Sequence, residues 1–286
     1  MSLINIPFGF MGETAGDPLL LDLYGSEVGF AVSTRKLSST YTGSCMEVTR
    51  TSDSATLDIG FLGNSVNTTA ITNFCTGTVG KVTKWYDQTG GGHYFGDDNG
   101  PVIYDNGAIQ TSRGLPTCNF ASSNTTVESL HYQGGGTGQG YEFTGSYSYF
   151  IASTGATQIQ KYMFGSSKGA SKPAIICGYA GTNSLEWYNT QRQTITSAAS
   201  QTDIQQISAI HDATNTTTVH YSGSQAFSVG GDSLPSSPSD VEALGGSSPT
   251  QDYYQGKMSE FIFYNNEKST DRAAIATNQN DYYQMY

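Results

Sequence analysis

Gly256-Lys-Met-Ser-Glu-Phe-Ile-Phe-Tyr264 is the stretch on which the fold turns. It is short, dense in aromatic and β-branched residues, and followed at once by Asn265-Asn266, a turn signal. Working outward, the same rhythm recurs at 102–104, 117–120, 147–154, 162–164, 174–179, 185–188, 206–211, 217–221 and 241–244. Each run is rich in Tyr, Phe, Ile, Val and Thr and is separated from the next by Gly, Ser, Asn or Asp. Short strands at close, turn-punctuated spacing predict an antiparallel β-sandwich or jelly roll. Asn215 is placed to turn a hairpin between Ile210 and Val219, which would let His211 and His220 face each other across it.

The flanks are more mixed. Val28, Ala31, Val32 and Arg35 recur at i, i+3, i+4 and i+7 and predict a helix from Tyr24. Residues 45–50 alternate as a half-buried strand does, and 81–86 form another strand, closed by the turn Asp87-Gln-Thr-Gly-Gly91. Thr68 caps a short helix through Ile71, Phe74 and Cys75. Near the end, Thr270 opens a helix as its N-cap, and Ile275, Tyr282, Tyr283 and Tyr286 follow at helical spacing. Residues 1–23 stand apart, broken by Gly9, Gly12, Gly16 and Pro18. The expected organisation is an extended segment over 1–23 and one domain over 24–286.

Composition narrows the function. Thirteen basic residues against 24 acidic ones give a net charge of −11, and with no basic cluster this argues against nucleic acid. Only 13% of residues are charged, but aromatics reach 12%, so a core is affordable and disorder is excluded. No apolar run approaches the roughly 18 residues of a membrane helix. Met1-Ser-Leu-Ile-Asn-Ile-Pro7 lacks a basic segment and is not read as a secretory signal. Cys45, Cys75, Cys118 and Cys177 fit no C-x-x-C pattern and are expected as buried thiols. The four His form no ligand pair, and Asp97-Asp98-Asn99 lacks the spacing of a Ca²⁺ loop, so no metal or other cofactor is expected.

Gly165-Ser-Ser-Lys-Gly169 matches a nucleophile-elbow pattern, but Pro173 and the β-like Ala174-Ile-Ile176 follow where a helix is needed. It reads as a hairpin turn. Sugars are held by aromatic faces beside planar amides and carboxylates. Glu186-Trp187-Tyr188 and Asp252-Tyr253-Tyr254 offer that combination, and these six are the candidate carbohydrate-binding residues. The alternative is that their rings are core. For Trp85, in the strand 81–86, the core reading leads.

Ser33-Thr-Arg-Lys-Leu-Ser-Ser-Thr-Tyr-Thr-Gly43, Ser52-Asp-Ser-Ala-Thr-Leu-Asp-Ile-Gly60 and Trp85-Tyr-Asp-Gln-Thr-Gly90 form a block. This block resembles the catalytic domain of α-L-arabinofuranosidase B and a set of bacteriophage virion proteins that share it. The tail from Gly256 is similar to the last strand and helix of that group. The resemblance implies a mostly β fold, a concanavalin A-like jelly-roll β-sandwich with a few short helices, one of them C-terminal. Retaining hydrolysis needs two carboxyl groups roughly 5–5.5 Å apart. The resemblance places the nucleophile near 164–169, where this chain has no acid, and the acid/base at Ser247. The family's adjacent Cys pair is also missing. Glu186 and Asp252 remain as substitutes.

On those grounds the expectation is a non-enzymatic bacteriophage virion surface protein with no catalytic residues: a tail fibre, a spike or a capsid-decorating fibre. Its jelly roll would bind a cell-surface glycan for host attachment. Residues 1–23 would contact other virion proteins, a homotrimer would suit a fibre, and assembly would take place in the host cytoplasm. The alternatives are a glycoside hydrolase of arabinofuranosidase type and a purely structural capsid decoration protein.

Overall fold

A computed structural model describes residues 18–121, 128–134, 140–154, 161–165, 174–177, 184–188, 192–196, 203–231, 239–246 and 254–286. Strand Gln255–Tyr264 organises the first of two antiparallel sheets. One of its edges takes Val28–Ser33 and Cys118–Ala121, and the other takes Tyr147–Ser153. Gln205–His211, Thr216–Tyr221 and Ser224–Gly230 extend the sheet outward. The second sheet runs Thr56–Ile59, Met46–Arg50, Gly80–Tyr86, Tyr94–Gly96, Leu130–Tyr132, Ala243–Leu244, Lys161–Gly165, Ala174–Cys177, Leu185–Tyr188 and Arg192–Thr196. Val102–Asp105 pairs with both Gly80–Tyr86 and Cys118–Ala121 and ties the sheets together along one side. The result is the predicted β-sandwich.

The core lies between the sheets. Phe30, Val32, Tyr149, Ile151, Phe261 and Phe263 face it from the first sheet; Val48, Val82, Trp85, Phe95, Leu130 and Phe164 face it from the second. Rings meet edge-on or tilted across the gap, Phe30 with Phe95 at 5.0 Å and Phe164 with Phe261 at 4.9 Å between centroids. These are the offset geometries that ring quadrupoles favour.

The first sheet is buried on its outer face as well. Ala31, Phe150, Ile262 and Tyr264 point away from the core and are covered by Leu20 and Leu21 of helix α1 (Leu20–Tyr24), by Leu37, and by Ile275 of helix α3 (Arg272–Tyr283). Beneath α3, the Arg35 guanidinium donates to both oxygens of Glu260, at 2.7 and 3.1 Å. Ser33, Gln279 and Tyr283 donate to the same carboxylate. Every group in this buried charge pair therefore has a hydrogen-bonding partner, the condition for keeping such a pair away from water.

The resembling block acts as a clamp. Asp87 accepts from the Ala31 N–H at 2.8 Å. Gln88 accepts from the Leu37 N–H at 2.8 Å and donates to the carbonyls of Ser33 and Arg35. The turn after Gly80–Tyr86 thus fastens the second sheet to the segment leaving Val28–Ser33. Asp58 accepts from the Tyr86 hydroxyl at 2.7 Å.

Three local expectations are corrected. The helix predicted from Tyr24 is instead strand Val28–Ser33, with α1 preceding it. Phe30, Ala31 and Val32 are all buried because both faces of this strand are covered, and a run that is apolar on both faces mimics a helical stripe. His211 pairs with Thr217 and His220 with Ser208, so the two imidazoles do not face each other. Leu19, Leu20 and Leu21 are buried in the domain, so the part of 1–23 that is described docks onto it; residues 1–17 lie outside the described residues. The other two helices form, with each cap one residue away from the expected Thr68 and Thr270. Helix α2 (Thr68–Phe74) forms, with Asn67 as the cap accepting from the Ala70 N–H. Asn215 turns its hairpin at φ 63°. Helix α3 forms with Asp271, one residue after Thr270, as its N-cap. Cys45, Cys75 and Cys118 are buried free thiols; the Cys177 side chain lies outside the described residues.

Candidate functional site

The six residues singled out from the sequence do not converge. Trp187 is fully buried, and its ring lies 6.0 Å from that of Phe227. Tyr254 is also fully buried, against Phe120, and its hydroxyl donates to the Thr154 and Lys257 carbonyls. Neither ring has a face open to a sugar, which corrects the reading of both as platforms: in these strands the side facing the opposite sheet claims the aromatic. Glu186 is buried and accepts from the Ser184 hydroxyl at 3.1 Å, and Tyr188 is half-buried. Asp252 and Tyr253 lie outside the described residues.

A different place brings carboxylates together. The strands that lead into the two segments on which the resemblance puts catalytic acids are paired, with Phe164 opposite Leu244 and Gly165 opposite Ala243. Residues 166–169 and 247–249 lie outside the described residues. Glu242 sits at this junction. Its N–H donates to the Gly165 carbonyl at 2.9 Å, and its carbonyl accepts from the Tyr132 N–H at 2.8 Å. Val241 pairs with Tyr141 in a separate two-stranded ribbon, whereas Ala243 pairs with His131 and Gly165, so the chain changes partners at Glu242.

The Glu242 side chain is 12% exposed. One carboxylate oxygen lies 3.9 Å from His131 Nδ1, and the other is buried without a hydrogen-bond partner. Burial lifts this carboxyl above the ordinary glutamate range; the imidazole charge opposes the lift and the nearby Asp240 adds to it. A largely buried carboxyl that burial makes hold its proton more tightly, beside another acid, is suited to general-acid work. Asp240 is fully buried and accepts from the Gly140 N–H at 3.3 Å. The other nitrogen of His131 lies 3.1 Å from the Ser129 hydroxyl and 3.9 Å from Asp97. The alternation Asp240-Val241-Glu242 was the signal for this site in the sequence. A search confined to the family's two positions passes over it.

The outer face of the second sheet continues from this junction, and no helix lies over it among the described residues. Hydrogen-bonded rungs carry one row from Glu47 through Lys84, Gly96, His131 and Ala243 to Gly165. Lys84 and Glu47 form an ion pair at 3.0 Å. Beside this row, half-buried Tyr86 and Tyr94 pack 6.0 Å apart, and the Gln133 N–H bonds the Tyr94 carbonyl, so that Gln133 lies exposed next to Tyr94. Among the described residues, no group of three His, Cys, Asp or Glu could hold a metal ion, and no helix is long and apolar enough to cross a membrane.

Comparison with known proteins follows this geometry. Residues 24–118 match the family model for the catalytic domain of α-L-arabinofuranosidase B. A protein of Aspergillus fumigatus named "Probable alpha-L-arabinofuranosidase B" is 41% identical over 83 residues, which span 26% of this chain and 16% of that protein. Among solved structures, a family 54 glycoside hydrolase, an α-L-arabinofuranosidase soaked with a cyclic sulfate inhibitor, superposes with a TM-score of 0.69 at 18% identity. The match covers 94% of this chain and 66% of that one. An arabinofuranosidase complexed with arabinofuranosyl-α-1,2-xylobiose gives a TM-score of 0.67 at 15% identity, covering 94% of this chain and 65% of that one. The chain is related to the arabinofuranosidase catalytic domain, and it spans less than two thirds of each of these proteins.

These matches correct the functional expectation. The related proteins are glycoside hydrolases, which overturns the reading as a non-catalytic virion surface protein and, with it, the expectations of no enzyme and of a virion location. The virion half of the resemblance finds no support in them. The expectation kept only Glu186 and Asp252 as substitutes for the two unoccupied family positions and did not weigh Glu242, whose backbone bonds to Gly165 at the same junction.

Proposed function

We propose that this chain is a glycoside hydrolase domain of arabinofuranosidase type, with Glu242 as its general acid. The observation that carries the reading is Glu242 itself. It is a largely buried carboxyl with one unpartnered oxygen, on the strand junction where the resembling family keeps its acids. Glycoside cleavage needs such a group to protonate the departing oxygen while a second carboxylate works from the other side of the sugar ring. Asp252 is assigned that second role. It belongs to the segment after Gly246, and the residues flanking that segment, Gly245 and Tyr254, are hydrogen-bonded to each other at 2.9 Å. Tyr253, on the same segment, and the half-buried Tyr188 are assigned as sugar contacts, and Glu186 as a buried polar support.

The substrate class is an α-L-arabinofuranoside, by likeness to proteins studied with 4-nitrophenyl α-L-arabinofuranoside and with arabinofuranosyl-α-1,2-xylobiose. Both compounds test the assignment. The wild type should release arabinose from each. Glu242→Gln should lower turnover of the xylobiose compound by about 10²–10⁴-fold, the range of a lost general acid. Its effect on the nitrophenyl compound should be smaller, because nitrophenolate leaves without needing a proton. No turnover by the wild type, or an equal loss on both compounds, would reject this role for Glu242.

A further inference from the structure

We propose that the outer face of the second sheet, from Tyr86 and Tyr94 across to His131, is a binding strip for the backbone of a neutral polysaccharide. The inference rests on the hydrolase reading, which supplies the branch sugar at Glu242 from which such a backbone would continue. Four observations carry it.

The strip is continuous with the Glu242 junction, because His131 pairs with Ala243 on one side and with Gly96 on the other. From Tyr86 and Tyr94 to His131 it crosses three strands, about 10 Å at the usual strand spacing, which is long enough for about two sugar rings. Its chemistry suits hydroxyl-rich rings. Tyr94 and Tyr86 supply aromatic surface, and the exposed Gln133 amide beside Tyr94 can both donate to and accept from hydroxyls. Lys84 is paired with Glu47, while Asp58, which accepts from the neutral Tyr86 hydroxyl, and Asp97 beside His131 keep their negative charge, so the strip would repel an anionic polymer and suits a neutral one.

On the opposite sheet, helices α1 and α3 cover the outer face around Ala31, Phe150, Ile262 and Tyr264. Gly96 also keeps the strip low. A Cβ there would come within 2.8 Å of the Tyr94 ring and 3.0 Å of the Thr83 carbonyl, so any larger residue would displace the aromatic platform.

The test is retention on insoluble arabinoxylan, a xylan backbone bearing arabinofuranosyl branches, measured as depletion from solution. It requires no turnover, so its outcome is separate from that of the hydrolysis assay. The wild type should be retained. Tyr94→Ala should bind about 10-fold more weakly, and Gln133→Ala about 3-fold more weakly. Gln133 is exposed and its replacement cannot unfold the sheet, while a thermal melt checks Tyr94→Ala. If the wild type is not retained, or if both variants are retained as well as the wild type, the strip is not a polysaccharide site, whatever the hydrolysis assay returns.

Discussion

The two sheets of the sandwich turn outer faces of opposite character away from their shared core. The first sheet hides its outer face under α1 and α3, and the charged pair there is satisfied internally: Arg35 against Glu260, with Ser33, Gln279 and Tyr283 completing the set around the carboxylate. The second sheet leaves half-buried Tyr86 and Tyr94, exposed Gln133, His131 and one unpartnered oxygen of Glu242 on its outer side. One face spends its polar chemistry on the fold; the other keeps it available. Residues 24–118 hold the clamp made by Asp87, Gln88 and Arg35, whose geometry tolerates little change because each partner is a buried backbone or charged group.

If the contrast is real, substitutions on the closed face should cost stability and those on the open face should cost function. The largest effect is expected for Arg35→Met. It strands the Glu260 carboxylate without its cation, and chemical denaturation should show a loss of about 3–5 kcal/mol, typical of a broken buried pair. Gln88→Ala comes next, at about 2–3 kcal/mol by the same measurement, because the Leu37 N–H and two carbonyls lose their partner inside the protein. An unchanged midpoint in either variant would break the comparison on its closed side.

A smaller effect concerns His220, which lies near Arg272 of α3. Burial, helped by that guanidinium, pushes the His220 imidazole down to about 4. A depressed folded-state value means that this group's stabilising contribution is complete above the ordinary value near 6.5 and fades as the pH falls toward 4. The melting temperature should therefore drop across that window, and His220→Asn should recover about 2–4 °C of the drop. The smallest effect is expected for Glu242→Gln. Its folded-state value is raised, so the wild type is unpenalised below about 4.5 and loses stability as the pH rises above it. The variant should melt about 1–2 °C above wild type at pH 7 and equal it at pH 4. A group that destabilises the fold in its charged form while serving turnover belongs to the open face; a lower melting point for this variant at pH 7 would move it to the closed one.

Much of the sandwich was legible in the sequence, for a reason specific to this fold. Strands such as Tyr147–Ser153 and Gln255–Tyr264 are buried on both faces over most of their length, so each carries a run of four apolar residues, 149–152 and 261–264, close to turn residues. The same double burial made Val28–Ser33 resemble a helix, because only the pairing partner, more than 200 residues away, distinguishes the two. Ser224–Gly230 escaped notice because it is an exposed edge strand with little apolar content. The site was less legible. Trp187 and Tyr254 carry the residue types of a sugar platform, but whether a ring faces a core or a ligand depends on which side the opposite sheet occupies, and alternation alone does not say. Glu242 stands where the chain changes strand partners between Val241 and Ala243, and the alternation Asp240-Val241-Glu242 marks its acidic side but not that change of partners.

Strand Gln255–Tyr264 also dictates the order in which the molecule can be made. It is the axis of the first sheet, and its partners Val28–Ser33, Cys118–Ala121 and Tyr147–Ser153 all precede it in the chain. During synthesis those strands emerge with their apolar faces and hydrogen-bonding edges exposed and must wait for it. Such high contact order makes folding slow and mostly post-translational, with a long interval in which unpaired edges invite aggregation. A nascent chain stopped before residue 255 should therefore be a chaperone client rather than a smaller sandwich.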